Sequence, residues 1–259
     1  MIYGFLWLFN ILVGYFIVYT NYHSSIPPYI TDIGNFGRLF PGYFSFINHI
    51  LIILFIITIV YRYKQLKFYF QNIQLNQNNN NNEIQLKKLL RQNHFALIAA
   101  ILSIIGTLIW LNFHSNQQLI IHSIGVLWMY FWTTVYMFIM CYLTKKLNDY
   151  GHIETKPISM FIITIIYTIS AWLSVLFFII FVLKFSKFHY YERGRFRRYW
   201  PYYNYNDNDD YRLYRLLANI NSWIMIIAHV MFIWSIGTRI RLFINKNYKY
   251  NDNNNNDGK

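Results

Sequence analysis

The sequence predicts an all-α integral membrane protein, a bundle of six transmembrane helices with both termini in the cytosol. Three observations carry this expectation. Apolar residues fill 56% of the 259 positions and charged residues only 13%, about half the share usual in soluble globular chains. The apolar residues gather into six windows free of Lys, Arg, Asp and Glu, each close to the ~20 residues that cross ~30 Å of hydrocarbon. Such continuous runs exceed the ~10 residues of a barrel strand, so helices are expected. Finally, Lys and Arg divide unevenly between the two sides of the implied membrane, 14 against 9. One cysteine excludes an intrachain disulfide framework and a Cys-rich zinc site. Ile, Phe, Tyr, Asn and Lys all have A/T-rich codons, so genome composition explains much of the aromatic and asparagine excess.

The first window, residues 2–19, lacks a basic leader region and a small-x-small cleavage site, and reads as an uncleaved span. The loop after it carries Arg38 alone among Lys and Arg. Within that loop, Pro27 and Pro28 stiffen the chain, and Asp32 followed by Gly34 signals a tight turn. The second span covers residues 43–60. Its following loop carries Arg62, Lys64, Lys67, Lys87, Lys88 and Arg91, and this one-against-six contrast across the first hairpin sets the orientation.

That second loop also contains the polar tract 76–82, which cannot bury a core. Residues 83–92 then place Ile84, Leu86, Leu89 and Leu90 beside Lys87, Lys88 and Arg91. This pattern suits either a short helix lying on an anionic cytosolic leaflet, making anionic headgroups the expected contact, or an ordinary basic flank.

Spans three to six are expected at 95–111, 119–143, 158–183 and 216–236, completing a membrane domain over 1–237. Residues 238–259 read as a disordered, Asn-rich cytosolic tail. The fifth loop, 184–215, is the exception to the charge rule, with eight Lys and Arg on the outer side. Its Arg and aromatic residues suit a headgroup boundary, and nucleic acid is not an expected partner. No N-x-[ST] sequon occurs.

Phosphate-binding, nucleophile-elbow and zinc-protease motifs are absent, and no expected span carries an ionisable Asp, Glu, Lys or Arg. His49, His94, His122 and His229 fall at span positions, but a two-haem arrangement needs axial pairs on four adjacent spans and the fifth has no histidine. No cofactor, metal or catalytic residue is therefore expected, and the chain reads as a non-enzyme. One polar group does converge at the outer ends of the spans. Tyr29, Asp32 and Gly34 of the first loop would meet Asn112, His122, Asn221 and Trp223. It reads as a hydrogen-bonded lid that packs the first loop onto the helix mouths, or as a small polar site in which Asp32 holds His122 for a lipid headgroup or for acid–base work.

These residues also carry a family likeness. "PYITDIGN" at 28–35 resembles the stretch after the first span of the damage-regulated autophagy modulator (DRAM) family. "NFHSNQQLIIHSIG" at 112–125 resembles the segment joining that family's third and fourth spans. "LLANINSWIMIIAHVMF" at 216–232 is similar to its final span, with Ser222 standing where the family has an acidic residue. "FGRLFPG" at 36–42 departs from the family's Pro-Pro-Glu-Ser run. The resemblance implies a six-span protein of lysosomal or endosomal membranes that promotes autophagy. Relatives it implies as alternatives are a plasma-membrane adaptor for phosphatidylinositol 4-kinase and an enzyme remodelling GPI-anchor lipids.

Overall fold

A computed structural model describes residues 6, 9, 10, 12, 13, 40–76, 80–113, 118–151, 157–188 and 210–256. Five helices dominate: α1 Phe40–Asn76, α2 Asn80–Asn112, α3 Leu119–Asp149, α4 Pro157–Phe188 and α5 Asp210–Asn256. All five are long and apolar enough to cross a membrane. No strand occurs among the described residues. Of the first expected span, residues 2–19, only five positions are described; all five are helical. Leu6, Asn10 and Val13 turn inward while Phe9 and Leu12 face out, as one stripe of a helix does.

The helices outrun the expected spans, chiefly at one end of the bundle. α1 has 37 residues and α5 has 47, so at 1.5 Å per residue they reach roughly 55 and 70 Å, against ~30 Å of hydrocarbon. Nothing in residues 61–76 stops a helix, because Pro and Gly are absent there. The stop signals that do occur act as expected: Pro157 opens α4 at a position where its missing N–H costs nothing. Gly151, at φ +83°, closes α3 with its N–H on the Asn148 carbonyl at 2.9 Å.

Two expectations change here. Residues 84–92 form no separate surface helix; they are early turns of α2, continuous with the third span. Their apolar side turns onto α1 instead of a leaflet: Leu86 and Leu89 are buried with Leu66, Phe70 and Ile73, while Lys87, Lys88 and Arg91 stay exposed. α5 also continues to Asn256, whereas disorder was expected from residue 238; its backbone meets no Pro or Gly between Gly237 and Gly258. Phe243 of α5 meets Tyr69 edge-on at 5.2 Å and Phe68 at 5.5 Å, so α1, α2 and α5 share a packed extension, hereafter the hairpin end. Leu89→Ala should therefore cost about 2–4 kcal/mol in thermal unfolding of the detergent-purified protein. Ile84→Ala, at a side chain 73% exposed, should cost under about 0.5 kcal/mol.

Through the membrane-spanning part, neighbours pack in the order α1–α2–α3–α4–α5, and α5 returns against α1. This closed ring gives the interior polar positions a shared centre. Faces turned away from it carry Ile, Phe and Trp, including Ile53, Ile101, Trp128, Phe131, Trp172 and Trp234, as a lipid-facing surface requires.

Candidate functional site

Three groups of polar side chains occupy the ring at different heights. At the end opposite the hairpin lie the described members of the expected lid. His122 is 6% exposed and its Nδ1–H donates to the Phe113 carbonyl at 2.7 Å, with its ring edge-on to Trp110 at 6.2 Å. This pins the turn leaving α2 onto the first turn of α3. Asn112 and Asn221 each donate back into their own helices, to the Leu108 and Leu217 carbonyls at 2.7 and 2.8 Å. Trp223 packs half-buried against the core. Tyr29, Asp32 and Gly34 lie outside the described residues, and the expected Asp32–His122 pairing lies there with them.

Deeper in the ring is a cavity of about 100 Å³ to which all five helices contribute. Its polar wall includes Asn48, Ser103, Thr107, Thr133, Ser222 and His229. Ser103 and Thr133 share a 2.5 Å hydrogen bond across α2 and α3, and Thr107 donates to the Ser103 carbonyl at 2.9 Å. Ser222, where the family resemblance led one to expect a carboxylate, donates to the Asn219 carbonyl at 2.7 Å. The cavity wall is thus a set of neutral hydroxyl, amide and imidazole groups. Beneath it, His229 contacts Phe55 and Tyr167 at 5.7 and 5.8 Å, and Tyr136 meets Phe55 and Phe232 edge-on. This aromatic layer separates the cavity from the third group.

That third group was invisible in the sequence. Arg62 and Arg239, both assigned to cytosolic flanks, are 1% exposed and point into the ring toward the hairpin end. Arg62 donates to Gln65 Oε1 at 2.5 Å and to Thr144 Oγ1 at 3.0 Å. Gln65 Nε2 donates to the Arg239 carbonyl at 3.0 Å, and Arg239 donates to the Ser235 hydroxyl and carbonyl. A charge-assisted bond from Arg62 thus ties α1 to α3, and a neutral amide–carbonyl bond from Gln65 ties α1 to α5. Arg215, counted in the fifth loop, is also buried, with its guanidinium 6.0 Å from the Phe181 ring centre.

The small-residue seam between α2 and α3 brings these groups into register. A Cβ on Gly106 would lie 2.6 Å from the Met129 backbone nitrogen, and one on Gly125 would lie 2.8 Å from that of Trp110. Such backbone contact is how close helix pairs form in lipid. A family model described as Frag1/DRAM/Sfk1/Cwh43P N-terminal domain matches residues 1–240, which takes in four of the five described spans whole, most of the fifth and all three polar groups. The chain belongs to the Frag1/DRAM/Sfk1/Cwh43P family. As a member of that family it is a multi-pass, DRAM-like membrane protein, in accord with the resemblance read from its motifs. No curated protein and no solved structure matches the chain.

Of the positions behind that resemblance, His122 and Gly125 now have structural tasks, the first closing a turn and the second admitting a neighbouring helix. The histidines weighed as haem ligands are engaged separately. His49 donates to the Ser45 carbonyl at 2.7 Å, and His94 lies edge-on to Tyr63 at 6.3 Å.

Proposed function

We propose that this family member is a non-enzymatic membrane protein that modulates autophagy or lysosomal function from the lysosomal or endosomal membrane, with the hairpin end and both termini cytosolic. The observation behind this reading is the hairpin end itself. It is a packed extension of α1, α2 and α5 that carries Lys64, Lys67, Lys87, Lys88 and Arg91 on its exposed surface. With buried Arg62 removed from the tally, five basic residues still face one in the first loop, which favours the same orientation. Lys87, Lys88 and Arg91 would meet anionic headgroups or an acidic partner at the cytosolic leaflet, each worth ~1 kcal/mol near such a surface. The polar groups facing His122 would serve as a lid that closes the outer face.

The test is a pH-sensitive fluorescent protein fused after Lys259, imaged with a lysosomal marker during starvation. Bright lysosomal rims are expected. Signal at the cell edge would favour a plasma-membrane adaptor for phosphoinositide synthesis. Signal that returns only when compartments are neutralised would place the C-terminus in the lumen and reverse the orientation. The lid has its own check. His122→Ala removes the bond to the Phe113 carbonyl and should lower stability by about 1–2 kcal/mol, visible as reduced abundance. A variant of normal abundance that loses lipid-remodelling activity would support an enzyme instead.

A further inference from the structure

We propose that the cavity inside the helix ring binds an uncharged single-chain lipid, which places one oxygen acceptor at the Ser103–Thr133 hydroxyl pair and its chain along the apolar wall. The argument begins with proton counting. Two hydroxyls that share one hydrogen bond use one of their two O–H groups. Ser103 and Thr133 are 4% and 2% exposed, both face the cavity, and among the described residues no second acceptor receives the remaining O–H. Of the neighbouring hydroxyls, those of Thr107 and Ser222 already donate to main-chain carbonyls. One buried O–H at the cavity wall therefore has hydrogen-bonding capacity that a ligand acceptor would use.

The rest of the wall fixes the ligand's character. Leu51, Ile52, Phe55, Ile104, Met129 and Ile226 supply a surface suited to hydrocarbon. Among the described residues no Lys, Arg, Asp or Glu lines the cavity, so an ionised headgroup would lose its hydration without a countercharge there. Size sets the last limit. At about 100 Å³ the cavity is smaller than the ~150 Å³ void that holds benzene, which excludes a sterol ring system or a sugar. A volume of that size would take a carbonyl or ester oxygen with a short length of one chain, the remainder of the ligand lying outside it. A single-chain ester of glycerol has this chemistry.

The experiment uses the full chain in nanodiscs with a clickable monoacylglycerol carrying a diazirine in its chain. The matching fatty acid, ionised at pH 7.4, is the control. Adducts mapped by mass spectrometry should fall on cavity residues of α1, α2, α3 and α5, exceed those of the fatty acid at least about five-fold, and disappear under excess unlabelled monoacylglycerol. Thr107→Leu, which fills the void, should reduce labelling about ten-fold. Ser103→Ala with Thr133→Val, which keeps the volume and removes both hydroxyls, should erase the preference over the fatty acid; it decides the matter if Thr107→Leu does not fold. Equal labelling by the fatty acid, adducts confined to lipid-facing residues such as Trp128 and Phe131, or no protection by competitor would each overturn the proposal, the last two leaving the cavity to water.

Discussion

Gly106→Ala should lower the stability of the detergent-purified protein by about 1–3 kcal/mol, and Gly106→Val should prevent recovery of a folded, monodisperse protein. The added Cβ would stand 2.6 Å from the Met129 nitrogen, 2.9 Å from its Cα and 3.0 Å from the Gly125 carbonyl oxygen. All three are backbone atoms, so no side-chain rotation relieves the clash and α2 must move off α3. That displacement also pulls on the Ser103–Thr133 bond and on the Trp110 indole N–H, which donates to Met129 Sδ at 3.0 Å. Gly125→Ala should behave similarly, since its Cβ meets the Trp110 nitrogen at 2.8 Å. Thermal unfolding followed by size-exclusion chromatography reads both effects. Ile105→Ala, on the lipid-facing side one residue away, is the reference; if Gly106→Ala melts no lower than this variant, the seam is not in close contact.

Arg62→Ala is expected to cost about 3–5 kcal/mol, because two hydrogen bonds from a charged donor are lost at ~1.5–3 kcal/mol each. Gln65 and Thr144 would be left in the interior without the guanidinium that joins them, and α1 would lose its tie to α3. Arg62→Lys should recover only part of the loss, since a compact ammonium does not reproduce the planar fork that reaches both partners. Arg91→Ala, on the exposed face of α2, should change stability by under about 0.5 kcal/mol. Should Arg62→Met prove as stable as the parent, the network would be dispensable for folding, as some buried ionic groups are.

How far the sequence reveals this molecule varies with the kind of feature. The windows at 119–143 and 158–183 lie within α3 and α4 with their starts displaced by no more than a residue, because the membrane imposes a minimum apolar length that composition records directly. The hairpin end was harder to read. Leu66, Phe70, Leu86 and Leu89 are separated by polar residues and by the Asn-rich stretch, so no single window shows that they form one core. The motif residues were found by their likeness to a family, but the likeness said nothing of contacts: Gly125 touches a helix, and Asn112 and Asn221 mostly satisfy their own helices.

By itself, then, the sequence determined the all-helical membrane class, the position of five spans and the family, since each is written in local composition or in short motifs. Only the tertiary structure decided which flanking arginines enter the interior, where the glycines let α2 and α3 touch, and that neutral hydroxyls from separate helices surround one cavity. A one-dimensional record of polarity reads the same for Arg62 as for Lys64. The helices around them turn one inward and the other to the surface.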